Sequence, residues 1–419
     1  MMRKWLIGHP FFRALKYRSF ALLWGGQALS RVGDFLYQLV LAWWVLEKTG
    51  SAALMATVFI VAFIPTILFG LIGGVAVDRY SRVHIMLASD LVRGGVVCIA
   101  AALAWWDSLQ IWHVYGLTLL LELVDAFFQP AYAAVIPRLV PEADLPSANA
   151  LTSLSIQTGR IVGPPLGAAL IALGGTALAF ALNGFSFFIG AALLIPLLNK
   201  ETTLSPQEQL SASQSVIVDF KEGIRTVLGA PWLWLSIAVF ALGNVTLGGP
   251  YSIALPFLVE EQLGADVQTL GFLYALFAVG YVLGGLWLGR KAQLQRRGRL
   301  IYGGITMAGM MLLLMGLPVG LPVVAVAALL NGVAMEISGL AWTNALQAWV
   351  PHTKLGRVTS IDAIGSMALM PIGFGVTGWA TELWGAPLVF VLGGRCHCIG
   401  GQPSLLLSSH PPARLNARL

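Results

Sequence analysis

Apolar residues run in blocks of about 20, the length an α-helix needs to cross a hydrocarbon core roughly 30 Å thick, and the blocks recur along almost the whole chain. The pattern predicts helical spans near 20–46, 53–77, 84–106, 111–136, 147–173, 176–198, 230–258, 267–289, 300–317, 321–349 and 358–381. A twelfth starts at Ala386 but loses its apolar run at Gly394, and about nine apolar residues do not cross a bilayer. From about 395 onward the chain reads Arg395-Cys396-His397-Cys398 and then Gly, Gln, Ser and Pro-Pro, which is expected to be a tail unrelated to the fold, as a change of reading frame would give. A short or re-entrant ending is the alternative. The one long polar segment between spans, 199–229, is expected to be a cytoplasmic linker between a six-helix bundle at 1–198 and a second bundle at 230–419.

Composition turns this pattern into a fold class. The 419 residues are 57% hydrophobic and 11% charged, against roughly 45–50% and about 25% in soluble domains, so an all-α polytopic membrane protein is expected. A net charge of +6 does not point to nucleic acid, because the basic residues alternate between loops. Arg3, Lys4, Arg13, Lys16 and Arg18 precede the first span, Arg79 and Arg82 follow the second, and Arg290 to Arg299 follow the eighth, while the intervening loops hold only Lys48. Basic loops stay in the cytoplasm, which predicts an even number of spans with both termini inside the cell inner membrane. The first span is too long for a signal-peptide core and is expected to be retained. The aromatic and basic stretch from Phe11 to Phe20 is expected to lie along the inner surface. Cys98, Cys396 and Cys398 form no disulfide or zinc pattern, so neither a metal nor a cofactor is expected.

An internal repeat is legible at a shift of 210 or 211 residues, which places Leu139-Val140-Pro141 opposite Trp349-Val350-Pro351 and Gly74 through Arg79 opposite Gly285 through Arg290. Repeats of this kind build many secondary transporters. Charges inside apolar spans are costly and are functional suspects. Here they are Arg31 and Asp34, Asp90 and Arg93 near the inner end of the third span, Glu122 and Asp125, Arg160, and Glu336. Steps of three and four residues put Glu122, Asp125, Gln129 and Tyr132 on one face of the fourth span, and Arg160 lies at a matching depth for an ion pair with Glu122. The repeat sets Glu336 opposite Asp125 and Asn244 opposite Asp34, as a solute or proton site between the halves would require. Charges that only hold helices together are the alternative. Most tryptophans near span ends read as interfacial anchors, leaving Tyr132 and Tyr251 as weak candidates for substrate contact.

Three motifs carry a family resemblance. Gly74-Val75-Ala76-Val77-Asp78-Arg79-Tyr80-Ser81-Arg82 resembles the Gly-x-x-x-Asp-Arg-x-x-Arg loop of the major facilitator superfamily, and its second copy, Gly285 to Lys291, has Gly289 in place of the acid. Gly159-Arg160-Ile161-Val162-Gly163-Pro164-Pro165-Leu166-Gly167 is similar to the helix signature of the proton-coupled exporters in that family, with Ala168 where a final glycine is common. Its glycines permit close helix approach, and the eighth span, with Gly280, Gly284, Gly285 and Gly289, is the expected packing partner. Gln129-Pro130-Ala131-Tyr132, Asn149-Ala150-Leu151 and Ser30-Arg31-Val32-Gly33-Asp34 resemble the branch that holds macrolide efflux proteins, the enterobactin exporter and a lysophospholipid transporter. The resemblance implies two six-helix bundles around a central cavity, with Gly74, Asp78, Arg79 and Arg82 in a cytoplasmic gate.

Together these readings lead to a secondary active transporter that exports small hydrophobic or amphipathic compounds against a proton gradient by alternating access. Asp34, Glu122, Asp125, Gln129, Arg160, Asn244 and Glu336 are the expected coupling or cavity residues. Transport of lysophospholipid or another lipid is the alternative. The chain lacks the Gly-x-x-x-x-Gly-Lys-Ser/Thr loop of ATPases and the His-Glu-x-x-His and Gly-x-Ser-x-Gly motifs of hydrolases, so no enzyme is expected. The expected partners are a small-molecule solute and the lipid bilayer, with no nucleic acid, and the chain is expected to act as a monomer.

Overall fold

The computed structural model describes residues 9–200, 216–291, 294 and 296–407, and among them it is helical throughout with no strand. A 3-10 turn, Pro10–Lys16, leads into α1 (Arg18–Thr49), α2 (Ala52–Arg79), α3 (Arg82–Trp105) and α4 (Ile111–Leu139). α5, Leu145–Leu194, is 50 residues long but breaks at Gly174 and at Gly175, whose φ of 72° is open to glycine and strained for other residues. The break yields the two spans expected at 147–173 and 176–198. After α6 (Val216–Leu228) come α7 (Pro231–Gly249), α8 (Val267–Gly289), α9 (Arg297–Met315), α10 (Leu321–Trp349), α11 (His352–Met367), α12 (Met370–Trp384) and α13 (Ala386–Leu407). Eight of the described helices are long and apolar enough to cross a membrane, and Ala52–Pro65 and Ala386–Gly401 are shorter apolar helices.

Prolines shape two of the spans. α7 continues through π-helical turns at Pro250–Ala254 and Leu258–Gln262. Pro250 and Pro256 there bring no N–H to the helical ladder, and a local widening accommodates the freed carbonyls. The eleventh span divides into α11 and α12 just before Pro371, whose ring excludes a regular turn over the preceding residues.

The last helix differs from its expectation. It does not end at Gly394 but continues for 22 residues, Ala386–Leu407. Packing sustains it where hydropathy fails: Gly394 and Cys398 lie against Gly309 of α9, His397 is buried with Nδ1 2.9 Å from Thr246 Oγ1, and Cys398 Sγ donates to the Thr306 carbonyl at 3.4 Å.

Residues 1–48 and 57–209 form one compact unit, and 49–56 with 210–419 form another. Within the first, Phe20, Leu23, Met86, Phe128, Ala131, Ala148 and Leu151 are sealed in one core. Within the second, Leu233, Ile301, Ala341, Ala345 and Val358 do the same. The two cores share a numbering rule. α4 and α10 are both 29 residues long and begin at Ile111 and Leu321, a displacement of 210. At that displacement Ala131 matches Ala341, Val140 matches Val350 and Leu151 matches Ile361.

The displacement reaches individual contacts. A Cβ on Gly163 of α5 would stand 2.8 Å from Phe35 Cβ of α1, and one on Gly373 of α12 would stand 2.9 Å from Val245 Cγ2 of α7, with both members of the pair moved by 210. Tyr132 meets Thr152 Oγ1 at 3.2 Å, and Trp342 donates to Asp362 Oδ2 at 2.9 Å, again two residues moved by 210. The repeat is therefore structural. It also corrects one match: at 210 Glu336 stands opposite Ala126, and Asp125 stands opposite Met335, whereas Asn244 keeps its place opposite Asp34.

The exporter-like motif packs within its own unit. Gly159, Gly163 and Gly167 pack on α1, where their absent side chains clear the carbonyls of Arg31, Val32 and Leu36. The glycines of the eighth span face α10: Gly284 lies against the Val333 carbonyl, and Gly285 lies beside Glu336. Each glycine row meets the neighbour inside its own unit that presents a bare carbonyl ridge.

Candidate functional site

In the first unit, three helices bring charged side chains to one place. α1 supplies Arg31 and Asp34, α3 supplies Asp90 and Arg93, and α4 supplies Asp125 and Gln129. Each pair is spaced by three or four residues, which stacks its members on one helical face. Arg31 Nη2 donates to Gln129 Oε1 at 2.9 Å, and Arg31 Nη1 lies 3.5 Å from Asp34 Oδ2. Gln129 Nε2 in turn donates to both oxygens of Asp125 at 3.0 and 3.1 Å. Arg93 closes the chain, with Nη1 3.0 Å from Asp125 Oδ1 and Nη2 2.5 Å from Asp90 Oδ1. The result is a continuous string of six side chains, Asp34, Arg31, Gln129, Asp125, Arg93 and Asp90.

The environment grades from open to closed along this string. The Asp34 and Asp125 side chains are 28% and 32% exposed, while Asp90 shows no surface at all. Arg93 lies over two aromatic rings, its guanidinium carbon 4.1 Å from the Phe128 centroid and 4.7 Å from that of Phe187. Stacking of this kind fixes an arginine's plane while leaving its edge free to choose acceptors. Glu122, one turn from Asp125, forms no hydrogen bond or ion pair among the described residues and lies in electrostatic reach of Asp125, Asp34 and Arg93.

Several expected site residues fall elsewhere. The Glu122–Arg160 ion pair is not formed; Arg160 stands 5.6 Å over the Phe35 ring, and Arg93 of α3 is the cation that faces the α4 acids. α5 packs on α1 through Gly159 and Gly163, and the intervening Arg160 meets the Phe35 ring of that helix. Tyr132 and Tyr251 are both buried, with Tyr132 bonded to Thr152 and the Tyr251 hydroxyl 3.6 Å from Met315 Sδ, between the Phe277 and Phe390 rings. In the second unit Asn244 donates to the Ser366 carbonyl at 2.9 Å, and Glu336 sits along the glycine face of α8. Pro164 is buried within α5 beside the glycines. Of the gate residues, Arg82 is buried in the first turn of α3, which Ser81 caps through the His84 N–H; the side chains of Gly74, Asp78 and Arg79 lie outside the described residues.

Two features escaped the sequence reading. Arg93 appeared there only as a charge near a span end, although Asp90 and Arg93, three apart in an otherwise apolar helix, already signal a buried pair. Asp362 was passed over entirely, an intramembrane acid that accepts from Trp342 and, at 3.4 Å, from Ser366.

The family model described as transmembrane secretion effector matches residues 10–395. Macrolide efflux protein A of Streptococcus pyogenes is 26% identical over 382 residues, 90% of this chain and 92% of its own length. The enterobactin exporter EntS of Escherichia coli O1:K1 is 29% identical over 321 residues, 72% of this chain and 73% of its own. Among solved structures, a bacterial homologue of the iron transporter ferroportin in an inward-facing state aligns with a TM-score of 0.73 at 16% identity, covering 94% of this chain and 99% of that one. The nucleoside transporter NupG aligns at 0.72 with 9% identity, covering 94% and 100%.

Proposed function

The chain belongs to the transmembrane secretion effector family of the major facilitator superfamily, and from that premise we propose that it exports small hydrophobic or amphipathic compounds, of macrolide or siderophore type, in exchange for protons. It is a multi-pass membrane transporter with bacterial relatives. The observation that carries the finer reading is the charge string in the first unit, where four carboxylates gather around two arginines inside apolar helices. A carboxylate that must be neutralised in a low-dielectric interior is a natural proton carrier, and a transporter whose two conformations differ in affinity for proton and solute exchanges one for the other.

In this reading the halves 1–198 and 230–419, joined by the cytoplasmic segment 199–229, alternate access to a site between them. Both termini lie in the cytoplasm, as the basic loops favour. The loop bearing Asp78 and Arg82 closes the inner side. Energy comes from the proton gradient and needs no cofactor, and one chain suffices.

Reconstitution tests it. The full chain in proteoliposomes holding a pH-sensitive dye is given erythromycin under an imposed proton gradient, and drug movement accompanied by opposite proton flux is expected. Drug movement indifferent to the gradient would remove proton coupling from the reading. Movement of lysophospholipid with no drug transport would replace the solute class.

A further inference from the structure

Asp90 is the end of the charge string and its least ordinary member. The residue is fully buried, and its Oδ1 receives the Arg93 guanidinium, but Oδ2 has no hydrogen-bond partner among the described residues. A buried oxygen of an ionised carboxylate is normally hydrogen-bonded. The space beside Oδ2 is shaped by Gly190 on the second arm of α5: a Cβ there would come within 3.1 Å of Oδ2 and 3.3 Å of Ser30 Oγ. Ser30 itself is weakly engaged, 3.5 Å from the Ser186 carbonyl.

The charged groups that face Asp90 are Arg93 on its own helix, Asp125 on α4 and Asp34 on α1. The second arm of α5 presents Asn183, Ser186 and Gly190 and has no charged residue from 176 to 194. Arg93 therefore serves two acids at once, and the string as a whole, with Glu122, sets four carboxylates against two guanidinium groups.

We propose that Asp90 is the resting place of the coupling proton, and that Arg93 passes its protonation state to α4 by giving up its contact with Asp90 and keeping the one it already has with Asp125. The proposal rests on the proton-exchange reading above. Water-borne protons reach the string at its two partly exposed acids, Asp34 and Asp125. One proton binds Asp90 at Oδ2, converting a carboxylate to a neutral acid, and no other bond is made or broken. The guanidinium, over the Phe128 and Phe187 rings, leaves Asp90 and draws closer to Asp125, which remains ionised. Loss of the same proton to water restores the Arg93–Asp90 contact. Gly190 leaves room for the added O–H.

Two measurements on the full-length protein separate this proposal from the reading beneath it. Infrared spectra of the protein in detergent, titrated through neutral pH with no solute present, are expected to contain a buried carboxylic-acid carbonyl band that is missing in Asp90→Asn and displaced in Gly190→Ala. A band unchanged in both variants overturns the assignment to Asp90. If Asp90→Asn does not fold, the Gly190→Ala spectrum alone decides. In erythromycin-loaded proteoliposomes, gradient-driven transport by Asp90→Asn is expected to fall about tenfold or more, within the usual range of coupling between sites, with a much smaller loss in drug-for-drug exchange. Equal losses in both assays mean a structural role and overturn the proposal. A wild-type protein that shows the band but moves no protons with drug overturns the exchange reading, and the coupling role with it.

Discussion

The two units solve the same packing problem and differ in what they place at its centre. Helix contacts repeat at a displacement of 210: Gly163 on Phe35 becomes Gly373 on Val245, and Tyr132 with Thr152 becomes Trp342 with Asp362. The third helices follow a displacement of 215, since Gly184 packs against Gly94 and Cys98 as Gly394 packs against Gly309 and Leu313. Under these rules Asp90 and Arg93 correspond to Ile305 and Ala308, Asp125 to Met335, and Arg31 to Ala241. The second unit has apolar residues at these four positions, Asn244 opposite Asp34 and Gly339 opposite Gln129, so no member of the string keeps its charge there. A bundle of this shape therefore does not need the charges to fold, and replacing a buried ion pair by apolar groups is often neutral or stabilising. Their retention in one unit alone is what a working site would produce.

The largest effect should follow from breaking that asymmetry halfway. Arg93→Ala leaves Asp90 buried with no cation, and removing one partner of a buried pair costs about 3–5 kcal/mol. Thermal unfolding of the detergent-solubilised protein should reveal it as a clear loss. Asp90→Ile combined with Arg93→Ala imports the second unit's solution and should recover most of the stability while gradient-driven transport stays impaired. A double variant as unstable as the single one would show that the charges are structural and that the comparison misleads.

Next in size are the matched glycines. At Gly163 an added methyl meets the Val32 carbonyl and Phe35 Cβ, both at 2.8 Å, while at Gly373 its nearest neighbour is the Val245 side chain at 2.9 Å. Overpacking costs about 1–3 kcal/mol, and Gly163→Ala should lie at the upper end because backbone cannot yield. Gly373→Ala should be milder and should be rescued by Val245→Ala, as the same unfolding curves would record. Equal costs at the two sites would mean that α1 and α5 move apart as readily as α7 and α12.

Much of this was readable in advance, for definite reasons. Span positions follow from hydropathy, and the repeat follows from the matched loops at Pro141 and Pro351. The Asp125–Gln129 contact follows from helical spacing alone. What spacing does not carry is which helix faces which. The exporter-like glycines were matched to the eighth span because both rows are glycine-rich, yet a glycine row packs on any ridge of exposed carbonyls, and within the first unit α1 supplies one. Glu122 was assigned to Arg160 by depth, but depth fixes height along the membrane normal and says nothing of azimuth. The Glu336 match failed by a single residue, which on a helix turns a side chain through about 100°. The last helix was misjudged because hydropathy counts the solvent preference of Arg395 and His397 and takes no account of the Thr246 hydroxyl that His397 meets.

The smallest expected effect lies at the segments that lead into the helices, where the units carry the same latch with opposite charge. In the first, Lys16 from the segment before α1 lies 2.8 Å from Asp144 Oδ2, which also accepts from the Tyr17 hydroxyl at 2.7 Å; the hydrogen bond to Asp144 raises the Lys16 pKa above its ordinary value. In the second, Glu222 of α6 accepts from Arg357 at 2.6 Å, with Lys354 at 4.0 Å. Cation and anion have changed sides, so the contact is conserved in place while its chemistry is not. Exposed pairs contribute roughly 0–1 kcal/mol, and Glu222→Gln should shift the unfolding midpoint barely at all. Reversal is the sharper probe. Glu222→Arg sets a third cation beside Arg357 and Lys354, and the added repulsion should release α6 from α11. Limited proteolysis across 216–228 should detect that release, and a second change, Arg357→Glu, should reverse it. Proteolysis unaltered by the reversal would reduce the second latch to a surface contact and leave the first unit with the only electrostatic closure of its kind among the described residues.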